Sequence, residues 1–197
     1  MAEVTKADPV FAAYGEYWLA LGKFVSAFAD AEVMTTLILG HFAKTSPQVS
    51  QAIFSGTRGK AAIDYINRIC EAENLPRDAD LESAFTQFQI LTDVRNTILH
   101  HGARIDGEGL VATNDAMAYL LPRTIKRSPI SAGMLDEMAQ DAETIRLKLI
   151  VFTMRGRSIA YPEGVQSLVD LAARPWRYKS APKVSPSRKP PNKSPKR

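Results

Sequence analysis

The residues with the clearest capacity for chemistry lie close together: Arg95, Asn96 and His100, followed by a second histidine, His101. An imidazole titrates near neutral pH and so can give or take a proton, and a guanidinium holds negative charge in a fixed fork of donors. Five residues advance a helix by about 140°, so Arg95 and His100 do not share one stripe, whereas Asn96 and His100, four apart, face the same way. Placed against Phe88 and Leu99, Arg95 points to the core side and Asn96 and His100 lie round the flank. A core-side Arg needs an acid. The natural one is Glu32, four residues beyond Phe28 on an apolar helix face where an unpaired carboxylate is expensive. The residues alone therefore lead to a structural Arg95–Glu32 ion pair, with His100 and His101 at a helix end where imidazolium suits the dipole.

Other chemistries are poorly supplied. No P-loop, Gly-x-Gly-x-x-Gly, His-Glu-x-x-His or Gly-x-Ser-x-Gly pattern occurs. With three histidines (His41, His100, His101) and the single cysteine Cys70, a metal site would need carboxylates from distant segments, so neither metal nor cofactor is expected. Weaker anion contacts are Arg58 and Lys60, at a loop where a helix begins, and Arg174 and Arg177 beside Trp176 and Tyr178. The two aromatics suit packing onto the body better than stacking on bases.

The elements that position these residues are helical. Apolar residues at three-to-four spacing predict an amphipathic helix over 14–43, after a short arm at 1–9. Ser46 and Pro47 open a short helix through Phe54, and further helices span 60–73 and 80–101. The apolar positions of the 80–101 segment surround it, which predicts the central, most buried element. Residues 103–105 and 110–113 around Asp106-Gly107-Glu108-Gly109 predict a small β-hairpin, and a connector leads on to Pro129. Ser131 caps a helix to about Met154 with Leu135, Met138, Ile145, Leu149 and Phe152 inward, and a last helix runs from Tyr161 to Ala173. This is an all-α domain over 10–173 with a hairpin insertion.

Residues 174–197 hold nine of the 25 Lys and Arg, six prolines and no acid, a composition that predicts a disordered basic tail. The first 173 residues then carry 16 bases against 21 acids, a net of −5. A mildly acidic body argues against a broad basic groove for nucleic acid, so any RNA is held locally or by the tail. No apolar run approaches membrane-spanning length. One cysteine and no secretory signal point to a reducing cytoplasm.

The run Arg95-Asn96-Thr97-Ile98-Leu99-His100, followed by His101-Gly102, resembles the signature of the HEPN superfamily: an Arg, a polar residue that is most often Asn, and a His a few residues on, near a helix end. The long first helix with an inward Glu32 also resembles it. The resemblance implies an up-and-down bundle of about four to five helices, usually a homodimer with two motifs facing across the interface. It implies a metal-independent endoribonuclease in which His100 is general base or acid toward the ribose 2′-hydroxyl, Arg95 stabilises phosphate charge, and Asn96 orients His100 or the phosphate, with Glu32 and His101 in support. Other members are non-catalytic interaction domains, or the toxin half of a toxin–antitoxin pair. One class is partnered by a nucleotidyltransferase, and since this chain lacks Gly-Ser followed by spaced aspartates, such an antitoxin would be a separate protein.

Overall fold

Thirty-four residues without a break, Pro9–Phe42, form helix α1. It begins five residues before the expected start, because a proline at a first helical position gives up no hydrogen bond. The computed structural model describes residues 9–101, 103–106, 109–113, 127–155 and 165–179. After α1 come α2 (Pro47–Phe54), α3 (Gly59–Ala72), α4 (Ala79–His101), a sheet of β1 (Ala103–Asp106), β2 (Gly109–Thr113) and β3 (Arg127–Pro129), then α5 (Ala132–Arg155) and α6 (Val165–Ala172). This is the expected helical bundle with a hairpin inserted after α4.

The helix boundaries follow local chemistry. Ser46 accepts from the Val49 N–H and Pro47 takes the first position of α2. The Asp78 carboxylate caps α4 through the Leu81 N–H at 2.9 Å, and Ser131 caps α5 through the Met134 N–H at 3.2 Å. Asn74 leaves α3 with a positive φ of 51°, a conformation Asn tolerates better than most residues.

Tyr17, Phe24, Phe28, Ile38 and Leu39 on α1 and Leu135, Met138, Ile145 and Leu149 on α5 build the core. The α1 and α5 helices pack against each other most extensively, with α3 and α4 added at their sides and α2 resting on α1. The expectation that α4 is the central element is thus overturned. Its buried residues Leu81, Ala84, Phe85, Phe88, Leu91 and Ile98 form one stripe, and Leu99 is 48% exposed. Ringing a helix with apolar residues does not bury it on all sides when only one side meets the core.

The hairpin pairs Ala103 with Ala112 and Asp106 with Gly109. The strand β3, which pairs Val111 with Pro129, falls where only a connector was expected. Three residues are too few to show an alternating pattern. The last helix is seen over Val165–Ala172; the expected start at 161–164 lies outside the described residues. Among the described residues no helix is long and apolar enough to cross a membrane.

The basic tail does not begin at Arg174. Residues 174–179 lie on the body: Tyr178 is buried, and the Trp176 Nε1–H donates to the Ser83 hydroxyl at 3.1 Å. Beneath them the fully buried Asp141 accepts from the backbone N–H of Arg177 (2.8 Å) and Tyr178 (3.0 Å) and from Gln87 Nε2 (2.7 Å). The remainder, 180–197, lies outside the described residues.

Nearby, Lys148 and Arg155 from α5 donate to the Asp80 carboxylate at 3.1 and 3.2 Å. The Lys148 hydrogen bond, reinforced by both positive charges, holds this carboxyl below its usual range. Because the folded pKa is depressed, the stabilisation is present above the ordinary carboxyl pKa and is lost as pH falls through the lowered value, from about pH 5 towards pH 2. Asp80→Asn is expected to shallow that acid limb in urea unfolding measured across the range.

Candidate functional site

The penultimate turns of α4 place Arg95 and Asn96 side by side. Arg95 is half-buried and Asn96 exposed, and the Arg95 Nη1–H donates to Asn96 Oδ1 at 3.3 Å. The guanidinium lies over the Phe28 ring, 5.4 Å from its centroid, and Phe28 in turn stacks on Phe88 at 4.9 Å. The Arg95 Nε is buried without a hydrogen-bond partner. His100 and His101 close the helix; their side chains lie outside what is described.

Glu32 does not pair with Arg95. Its Oε1 accepts from the Gly59 N–H at 2.9 Å, capping α3 from α1, since Arg58 at the N-cap supplies no side-chain acceptor. The physical reason for this correction is the helix end itself. Unsatisfied N–H groups and a positive dipole end compete for a carboxylate as effectively as a guanidinium does. The need for a partner was readable in the sequence, but backbone donors are not spelled out by any residue type.

The same contact changes the reading of Arg58 and Lys60. The start of α3, the expected phosphate contact, already holds a carboxylate. Arg58 and Lys60 are exposed at its rim, as are Arg174 and Arg177 at the other end of the chain. Gly59 is required there, because a Cβ would collide with the Phe88 ring. Gly59→Ala is expected to destabilise the protein by about 1 to 3 kcal/mol, measured as a lower denaturation midpoint at unchanged m-value.

The structure thus brings together Arg95, Asn96, Phe28 and Phe88, with Glu32 and Gly59 adjoining through Phe88. Sequence reasoning missed the role of Phe28 and the buried Asp141. The signal for the second was present: Asp141 falls between Met138 and Ile145 on the inward stripe of α5, where a carboxylate demands donors. Among the described residues no three His, Cys, Asp or Glu side chains come together as a metal would require.

Compared with known proteins, the chain matches no family model, no curated protein and no solved structure.

Proposed function

We propose that this protein is a HEPN-like, metal-independent endoribonuclease whose site is built on Arg95, Asn96 and His100 and completed across a homodimer. The observation that carries the reading is the state of Arg95. Its guanidinium makes one hydrogen bond to its neighbour Asn96 and no ion pair among the described residues. Of its five donors, most are left for an anionic group. A cation held on an aromatic ring beside a solvent-exposed amide is suited to a phosphate of RNA.

In this mechanism His100 takes the proton of a ribose 2′-hydroxyl as that oxygen attacks the adjacent phosphorus. Arg95 neutralises the developing charge on the phosphate oxygens, and the bond from phosphorus to the 5′-oxygen breaks. The departing oxygen needs a proton, and the motif of the second copy supplies it. A toxin or defence role, a separate antitoxin protein and a cytoplasmic setting belong to the same proposal.

The test is RNA cleavage in EDTA by the full chain and by a version ending at Lys179. Wild type is expected to cleave in both forms, and His100→Ala to lose about 10²- to 10⁴-fold in rate at an unchanged unfolding midpoint. Equal cleavage by the variant would sink the proposal. A wild type with no activity would leave the chain as a non-catalytic helical interaction domain.

A further inference from the structure

The outward face of α1 is unusual for a solvent-facing helix. Leu19, Gly22, Ser26, Ala29, Val33 and Leu37 recur at spacings of three and four and are all exposed. Leu19, Val33 and Leu37 show 63%, 60% and 54% of their surface. Beside them Trp18 is 53% exposed. No charge lies along the centre of this stripe; Lys23 and Asp30 stand on one flank of it, and Trp18, Ala29 and Thr36 on the other. Between α1 and α2, on the Trp18 flank, runs a groove of about 630 Å³ lined by Ala29, Val33, Thr36, Leu37 and Phe54.

The geometry points to a second copy of this chain as the occupant of this face, lying antiparallel to the first along α1 with a two-fold axis passing at Ser26. The sequence is self-complementary about that residue alone. Counting equal steps outward from Ser26, Gly15 meets the partner copy's Leu37, Leu19 meets Val33, and Gly22 meets Ala29. Large residues therefore fall opposite small ones over about 33 Å of helix. Gly15 and Gly22 have open space where a side chain would stand, so each is a notch into which the opposing residue fits.

The flanks agree with the same register. In an antiparallel pair related by this axis, like flanks face each other. Lys23 then comes level with Asp30 of the second copy, twice by symmetry. Asp30 has no partner among the described residues, and Lys23 holds only an exposed 3.4 Å contact to Asp136, which is easily exchanged. On the opposite flank Trp18 falls between the levels of Val33 and Thr36 of the second copy, at the α1–α2 groove. A large exposed aromatic and an apolar groove are thus matched within one symmetric contact, the arrangement that closes a dimer.

The interface stands on α1 and does not rest on the ribonuclease reading: the one is read as mass, the other as cleaved RNA. Sedimentation equilibrium of the full chain is expected to show a dimer. Ser26→Arg sets two guanidiniums against each other on the axis and is expected to weaken association by about 100-fold. Because Ser26 is exposed, the variant should keep the wild-type circular dichroism and unfolding midpoint as a monomer. Trp18→Ala is expected to weaken association likewise, and Lys23→Asp to weaken it until Asp30→Lys is added and restores it. A monomeric wild type would overturn the proposal. So would a dimer indifferent to Ser26→Arg and Trp18→Ala, or a charge exchange that fails to restore association.

Discussion

Asp141→Ala is expected to release residues 174–179 from the body and lower the unfolding midpoint by the largest margin of any single polar substitution. The carboxylate is 1% exposed and receives three N–H donors, from Gln87, Arg177 and Tyr178, with no cation in hydrogen-bond reach. Burial pushes its pKa above the usual carboxyl range, against the hydrogen bonds that pull it down. Its pH dependence therefore has the opposite sign to that of Asp80: what the group contributes is fullest below the ordinary carboxyl pKa and declines as pH rises through the raised value.

Removing the carboxylate orphans three donors, each at a cost of about 1 to 3 kcal/mol if it stays dry. The two backbone donors escape that cost only by lifting into water, which exposes Tyr178 and Trp176 and forfeits about 1.5 to 3 kcal/mol for a large apolar side chain. Either route destabilises the protein by several kcal/mol. Limited proteolysis between 174 and 179 and a red-shifted Trp176 emission distinguish release from strain. Asp141→Asn offers one acceptor oxygen where two are used, so it should fall between. Wild-type resistance to protease in Asp141→Ala would contradict the assignment.

The second large effect concerns Arg95, where activity and stability are expected to separate. Orphaning a buried ion-pair partner costs about 3 to 5 kcal/mol, and a true Arg95–Glu32 pair would show that loss. The observed contacts are a ring at 5.4 Å and one neighbouring amide. A cation over an aromatic ring contributes about 0.5 to 2 kcal/mol, so Arg95→Ala should unfold only slightly earlier than wild type. Its cleavage rate, by contrast, should drop about 10²- to 10³-fold, the scale for losing one preorganised donor to a developing oxyanion. Arg95→Lys keeps a cation over Phe28 but not the planar fork, and should recover the stability and only part of the rate. An Arg95→Ala protein with full activity would remove Arg95 from the mechanism.

The helical plan was legible because its punctuation is local: Ser46-Pro47, Asn74 and Ser131 each act within a few residues. The packing of Trp176 and Tyr178 was also foreseeable, since two large aromatics next to a domain edge gain more from burial than from water. What could not be read were the partners. Glu32 and Asp141 announce themselves as carboxylates on apolar faces, yet both are satisfied mainly by backbone N–H groups brought from far along the chain. Nor does the pattern of apolar residues say which will be covered: Leu99 on α4 and Leu19, Val33 and Leu37 on α1 read like core residues and remain in solvent.

Phe28 has a consequence for how this protein can change over time. One ring is stacked on Phe88, lies edge-on to Phe24 at 6.0 Å, and carries the guanidinium of Arg95. Substitutions that merely reshape the interior around Phe24 or Phe88 would therefore shift the site as well, and their effects should not add to those of changes at Arg95. Sequences descended from this one should be able to wander at the surface of α3 or α6 while their aromatic interior and their Arg95 are inherited as a unit.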